Sequence, residues 1–88
     1  MEIVINKCFG GFNLSNFAEE RLGTSYPERT DGELISLIKE YGSKQVSGPF
    51  AKLKVVEIPE ETTDYEIDEY DGLERIMYVV NGKIYHTL

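Results

Sequence analysis

The sequence of 88 residues predicts an α+β domain in which a short N-terminal strand and two helices precede an antiparallel β-meander of about three to four strands. Two hairpin signals carry this prediction. Strand-like runs at 65–70, 73–80 and 83–88 are separated by Asp71-Gly72 and Asn81-Gly82, and such dipeptides favour turns whose two central residues have positive φ. A chain of this length holds one modest core, so residues 1–88 are predicted to form one domain.

The N-terminal part predicts a strand, a glycine loop and a helix. Residues 2–7 are rich in β-branched side chains, and Gly10-Gly11 then interrupts any regular element. Ser15 is a favourable N-cap and Gly23 a favourable C-terminal residue, so they are expected to delimit a helix of about two turns.

A second helix is predicted after Thr30. In a capping box, the Thr30 hydroxyl would accept from the amide of Glu33, and an apolar stripe at i, i+3, i+4 and i+7 follows before Gly42. Residues 43–49 are predicted to be a polar loop, and residues 51–58 a strand.

The two-residue turns also predict the register of the meander. The expected cross-strand pairs are Tyr65–Tyr78, Ile67–Ile76, Asp68–Arg75 and Tyr78–Tyr85. One face of the meander is expected to seat the two helices. The other face still carries Leu73, Met77, Val79, Ile84 and Leu88, so we expect it to contact another subunit in a homo-oligomer.

Charge and cysteine content narrow the classes of partner and compartment. The net charge is −7, and residues 57–74 contain nine acids and no Lys or Arg, which disfavours direct binding of nucleic acid. The apolar runs are too short to span a membrane, and no secretory signal is visible. A lone Cys8 is typical of a reducing compartment. These features predict a cytoplasmic protein.

The glycine loop is the first candidate site. A strand that enters a capped helix through Gly10 and Gly11 presents backbone N–H groups that suit a phosphate or carboxylate. Cys8 lies beside it, and Arg29 could approach the same anion. The alternatives are a tight turn that needs positive φ, and an arginine that is solvated or paired with a carboxylate.

No catalytic residue, metal or cofactor is predicted. Cys8 and the sole histidine, His86, lack the local signature of a cysteine hydrolase. Asp64, Glu66 and Asp68 alternate as calcium ligands do, but Glu69 occupies the position where an EF-hand loop requires glycine.

An acidic stripe is the second candidate site. Alternation along a strand places its carboxylates on one face, and two further acids precede that strand. The residues concerned are Glu60, Glu61, Asp64, Glu66 and Asp68. They can be read as a solvated surface that aids solubility, or as an imitation of a phosphate backbone that engages a basic protein.

Four segments together carry a resemblance to a known family. They are M-x-I-V-I-N-K-C-F-G-G-F-x-L-S at residues 1–15, R-T-D-x-x-L-I at 29–35, L-K-V-V-E-I-P at 53–59 and E-I-D-E-Y-D-G-x-E-x-I at 66–76. The chain thereby resembles a family of small phage and prophage proteins of unassigned function. It departs from that family at its end, where an Asn-Gly hairpin replaces a basic, aromatic tail. The resemblance implies a phage setting but no reaction.

A phage setting favours a non-enzymatic binding protein in the cytoplasm of the host. The predicted function is sequestration of a nucleotide-like host defence signal, with Cys8, Gly10, Gly11 and Arg29 as contacts. The alternative is an inhibitor that presents the acidic stripe to a host protein. The predicted partner is therefore a small anionic ligand or a basic host protein.

Overall fold

The computed structural model describes residues 1–87 and has the α+β architecture that the sequence predicts. Its elements are β1 (Glu2–Asn6), α1 (Asn16–Leu22), α2 (Gly32–Tyr41), α3 (Ser43–Val46), β2 (Leu53–Glu57), β3 (Asp64–Tyr70), β4 (Leu73–Val80) and β5 (Lys83–His86). The strands form an antiparallel β1–β2 ribbon and a separate β3–β4–β5 meander. Within the described residues, no helix is long and apolar enough to cross a membrane.

The β1–β2 ribbon lies between two apolar cores. Successive side chains of a strand point to opposite faces, and β1 is apolar on both. Val4 joins the helices in one core, whereas Ile3 and Ile5 join the meander in the other, and all three are fully buried. The ribbon is therefore the middle layer of the fold.

This arrangement corrects the expected seat of the helices. They pack on the β1–β2 ribbon, where Leu34 and Leu53 share the core of Val4. The predicted meander face, which includes Ile67 and Ile76, packs instead on Ile3, Ile5 and Ile58. The prediction was wrong because it left out the β1–β2 ribbon, whose first strand is apolar on both faces and separates the helices from the meander.

The helix ends follow the local sequence with two differences. Ser15 caps α1 by accepting from the amide of Ala18, and Gly23 ends it with φ 72°. The N-cap of α2 is Asp31 and not Thr30, because the Asp31 carboxylate accepts from the amides of both Glu33 and Leu34. The segment predicted as a polar loop contains the short helix α3, whose last residue is buried.

The predicted register of the meander is confirmed. Tyr65 pairs with Tyr78, Ile67 with Ile76, Asp68 with Arg75, and Tyr78 with Tyr85. Both hairpin turns have positive φ at their two central residues, which are Asp71-Gly72 and Asn81-Gly82. The last residue of the predicted second face, Leu88, lies outside the described residues.

Candidate ligand-binding site

Asn6, the last residue of β1, forms side-chain hydrogen bonds to three loops. Its side chain is fully buried, and its Nδ2 donates to the carbonyl oxygens of Cys8 and Gly72, both at 2.7 Å. Its Oδ1 accepts from the amide of Lys52 at 2.8 Å. We call the segments 7–12, 49–52 and 71–72 the loop apex. The side-chain amide of Asn6 thus connects all three segments, because its NH₂ group donates to two of them and its oxygen accepts from the third.

The main chains within the loop apex lie in direct contact. The amide of Gly10 donates to the carbonyl oxygen of Asp71 at 3.3 Å. A Cβ on Gly72 would lie 2.3 Å from the nitrogen of Gly11, and a Cβ on Gly10 would lie 2.3 Å from the carbonyl oxygen of Phe50. Glycine is required here for close approach as well as for positive φ.

Arg29 is held inside the fold. Its guanidinium donates to both carboxylate oxygens of Glu74, at 2.6 and 2.9 Å, and lies over the ring of Phe12. Glu74 is only 5% exposed and also accepts from the backbone amide of Asn6. Of the two interpretations of Arg29, the structure shows the carboxylate pair, which occupies the fork that an external anion would need.

The glycine loop has an acidic side. An open depression of ≈ 460 Å³ is lined by Phe9, Gly10, Gly11, Glu69, Asp71 and Gly72. Its lining thus includes two carboxylates, and neither Lys nor Arg contributes to it. The negative potential of such a surface opposes the approach of a phosphate.

The other side of the loop apex is basic. A cavity of ≈ 690 Å³, here called the lysine cavity, is lined by Cys8, Ser43, Lys44, Ser47, Gly48, Pro49, Ala51 and Lys52. No acidic residue contributes to this lining. Within residues 1–87, neither Lys44 nor Lys52 forms an ion pair. These two ammonium groups therefore have no carboxylate that competes with a bound anion.

The four residues predicted from the sequence divide among three places. Cys8 lines the lysine cavity, where its thiol donates to the carbonyl oxygen of Phe50 at 3.3 Å. Gly10 and Gly11 line the acidic depression, and Arg29 is bound to Glu74. The sequence did not indicate the two lysines of the cavity, because residues 43–49 were predicted to be a polar loop and α3, which carries Lys44, was not expected.

The acidic stripe lies along the meander. The cross-strand pairs place Asp64, Glu66 and Asp68 on the face that points away from the core. Glu60 and Glu61 are exposed in the connection before β3. The alternation predicted from the sequence is thus present as a row of carboxylates.

Potential metal ligands and nucleophiles lie apart in the described residues. Among residues 1–87, no group of three or more His, Cys, Asp or Glu could hold a metal ion. His86 pairs with Met77 at the edge of the meander, whereas Cys8 hydrogen-bonds to Asn6 and Phe50 in the loop apex.

Comparisons with known proteins add no family. No family model, no curated protein and no solved structure matches the chain. The phage setting therefore stays a prediction from the motifs in the sequence.

Proposed function

We propose that this chain is a non-enzymatic binding protein that sequesters a small, nucleotide-like anion in the lysine cavity. One observation carries the proposal: in a chain of net charge −7, this cavity is lined by two lysines and by no acid. Concentrating unpaired cations in a concave site raises the local affinity for an anion despite the overall charge.

The lining of the cavity suits a ligand that combines an apolar part with a phosphate. Ligand sites combine apolar walls with a few polar groups that fix orientation. Pro49 and Ala51 supply apolar surface, and Lys44 and Lys52 supply the cations. A lysine ammonium binds phosphate as a point charge.

The loop apex gives this cavity a fixed wall. Asn6 accepts from the amide of Lys52 and donates to the carbonyl oxygen of Cys8, and both of these residues line the cavity. A site whose backbone is already ordered loses less entropy when it binds. This ordering supports the lysine cavity as the binding site.

The resemblance to small phage proteins identifies the ligands to test first. A phage protein of this kind would act in the host cytoplasm, where cyclic and adenine-containing nucleotides serve as defence signals. Sequestration of such a signal is the biological role that we propose.

Titration calorimetry against cyclic and adenine-containing nucleotides tests the proposal. The test variant is Lys44→Gln/Lys52→Gln, and the matched control is Lys54→Gln/Lys83→Gln, which removes the same charge elsewhere. We expect the test variant to bind about tenfold more weakly, because both ammonium groups are exposed and each lost charge pair costs up to about 1 kcal/mol.

Two results would contradict this function. One is that none of these nucleotides gives measurable heat with the unmodified protein. The other is that both double variants bind equally, because the long-range charge of the protein and not the lysine cavity would then account for binding.

A further inference from the structure

The meander presents one face that no other element covers within the described residues. On this outer meander face, β4 carries Leu73, Arg75, Met77 and Val79, β5 carries Ile84 and His86, and β3 carries Asp64, Glu66, Asp68 and Tyr70. Neither apolar core includes any of these residues. The helices and the β1–β2 ribbon pack elsewhere, so the face is unpartnered.

The apolar side chains of this face are unusually accessible. Ile84 is 63% exposed and Tyr70 is 77% exposed. Met77 and Val79 on β4 lie between Ile84 and the acids of β3, and both are half-buried, whereas Tyr70 lies at the far end of β3 opposite Leu73. A continuous exposed apolar area with a polar margin is typical of a protein-binding surface.

The charge of the margin is one-sided. Three of the four outward positions of β3 are acidic, and the single ion pair that the structure gives them, between Asp68 and Arg75, is long at 3.9 Å and exposed. β3 is also an edge strand. An edge strand can pair with the edge strand of a second copy.

We infer that the outer meander face docks a basic, partly apolar segment of another protein, which lies across the strands with its apolar side chains on Met77, Val79 and Ile84 and its cations toward the acidic residues of β3. Charge complementarity selects this occupant. A second copy that paired β3 with β3 would bring two acidic rows together, and like charges on adjacent strands are destabilising. The docking face shares no residue with the lysine cavity.

NMR titration with a synthetic peptide of alternating lysine and valine tests this inference on the full chain. We expect chemical shift changes along β3 and β5 and binding that weakens as salt rises. The test variant is Asp64→Asn/Glu66→Gln/Asp68→Asn. The control, Glu20→Gln/Glu28→Gln/Glu40→Gln, removes the same number of charges from α1, α2 and the connection between them. We expect the test variant to bind the peptide about tenfold more weakly than the control does.

A second variant tests the apolar part of the face. Ile84→Thr keeps a β-branched side chain at an exposed position and should weaken binding about fivefold, since it replaces apolar contact area with a hydroxyl and changes no charge. Equal binding by the two triple variants would overturn the inference. The inference would also be overturned if sedimentation showed a dimer and the NMR shifts of Met77 and Ile84 changed with protein concentration. A second copy would then occupy the face.

Discussion

The loop apex and the outer meander face treat polar groups in opposite ways. In the apex, the amide of Asn6 and the carboxylate of Glu74 are buried and bound to groups of the same chain. On the outer face, Glu66 and Asp64 are exposed beside apolar neighbours. The difference separates residues that stabilise the fold from residues that remain available to a partner. Substitutions in the two regions should therefore affect different measurements.

The largest effect is expected for Asn6→Ala. This change leaves the carbonyls of Cys8 and Gly72 and the amide of Lys52 without their buried partner. Each such group costs about 1–3 kcal/mol, so we expect unfolding free energy to fall by about 4 kcal/mol. Urea denaturation measures it. The control Asn16→Ala, at an exposed position, should change stability by less than about 0.5 kcal/mol; a similar small change for Asn6→Ala would show that the loops hold together without it.

A smaller loss is expected for Glu74→Gln. The amide cannot neutralise Arg29, whose guanidinium is mostly buried, so we expect a loss of about 2–3 kcal/mol. The neighbouring variant Asp68→Asn breaks the exposed pair with Arg75 and should cost about 0.5 kcal/mol or less. Thermal and urea unfolding of the two variants compare a mostly buried and an exposed ion pair, each of which has one partner on β4. Equal losses of unfolding free energy in the two variants would show that the ion pair of the outer meander face stabilises the fold as much as the pair between Arg29 and Glu74.

The smallest effect is expected on the outer face itself. Asp64→Asn/Glu66→Gln/Asp68→Asn removes neighbouring like charges that have little internal compensation, so stability should stay within about 0.5 kcal/mol of the unmodified protein or rise slightly. Differential scanning calorimetry provides the measurement. A loss comparable with that of Glu74→Gln would mean that these carboxylates support the fold, which would weaken their assignment to a partner.

Local features were predictable because short segments determine them. Asp71-Gly72 and Asn81-Gly82 specify both the turn type and the register of three strands. Ser15 and Gly23 likewise specify the ends of α1. Two local predictions were wrong. Thr30 is not the N-cap of α2, because the adjacent Asp31 is an equally favourable N-cap and reaches two amides, and the predicted loop at 43–49 contains α3.

The contacts of the loop apex were not predictable because the residues that form them are distant in the chain. Asn6 contacts Lys52 and Gly72, and Arg29 meets Glu74; no periodicity relates such positions. The sequence shows an asparagine at the end of an apolar strand, but it does not show that this side chain is buried or which loops it contacts. Similarly, Lys44 and Lys52 are ordinary surface lysines until α3 and the loop apex place them around one cavity.

The middle position of the β1–β2 ribbon has a consequence for how the chain folds. The hairpins of the meander close over two-residue turns, whereas Glu2 pairs with Glu57 and Asn6 with Leu53, and closing such long loops is slow. Until that closure occurs, the helices and the meander each have an apolar surface with nothing to cover it. The arrival of β1 therefore joins both halves in one step, and the two cores should melt as a single cooperative unit.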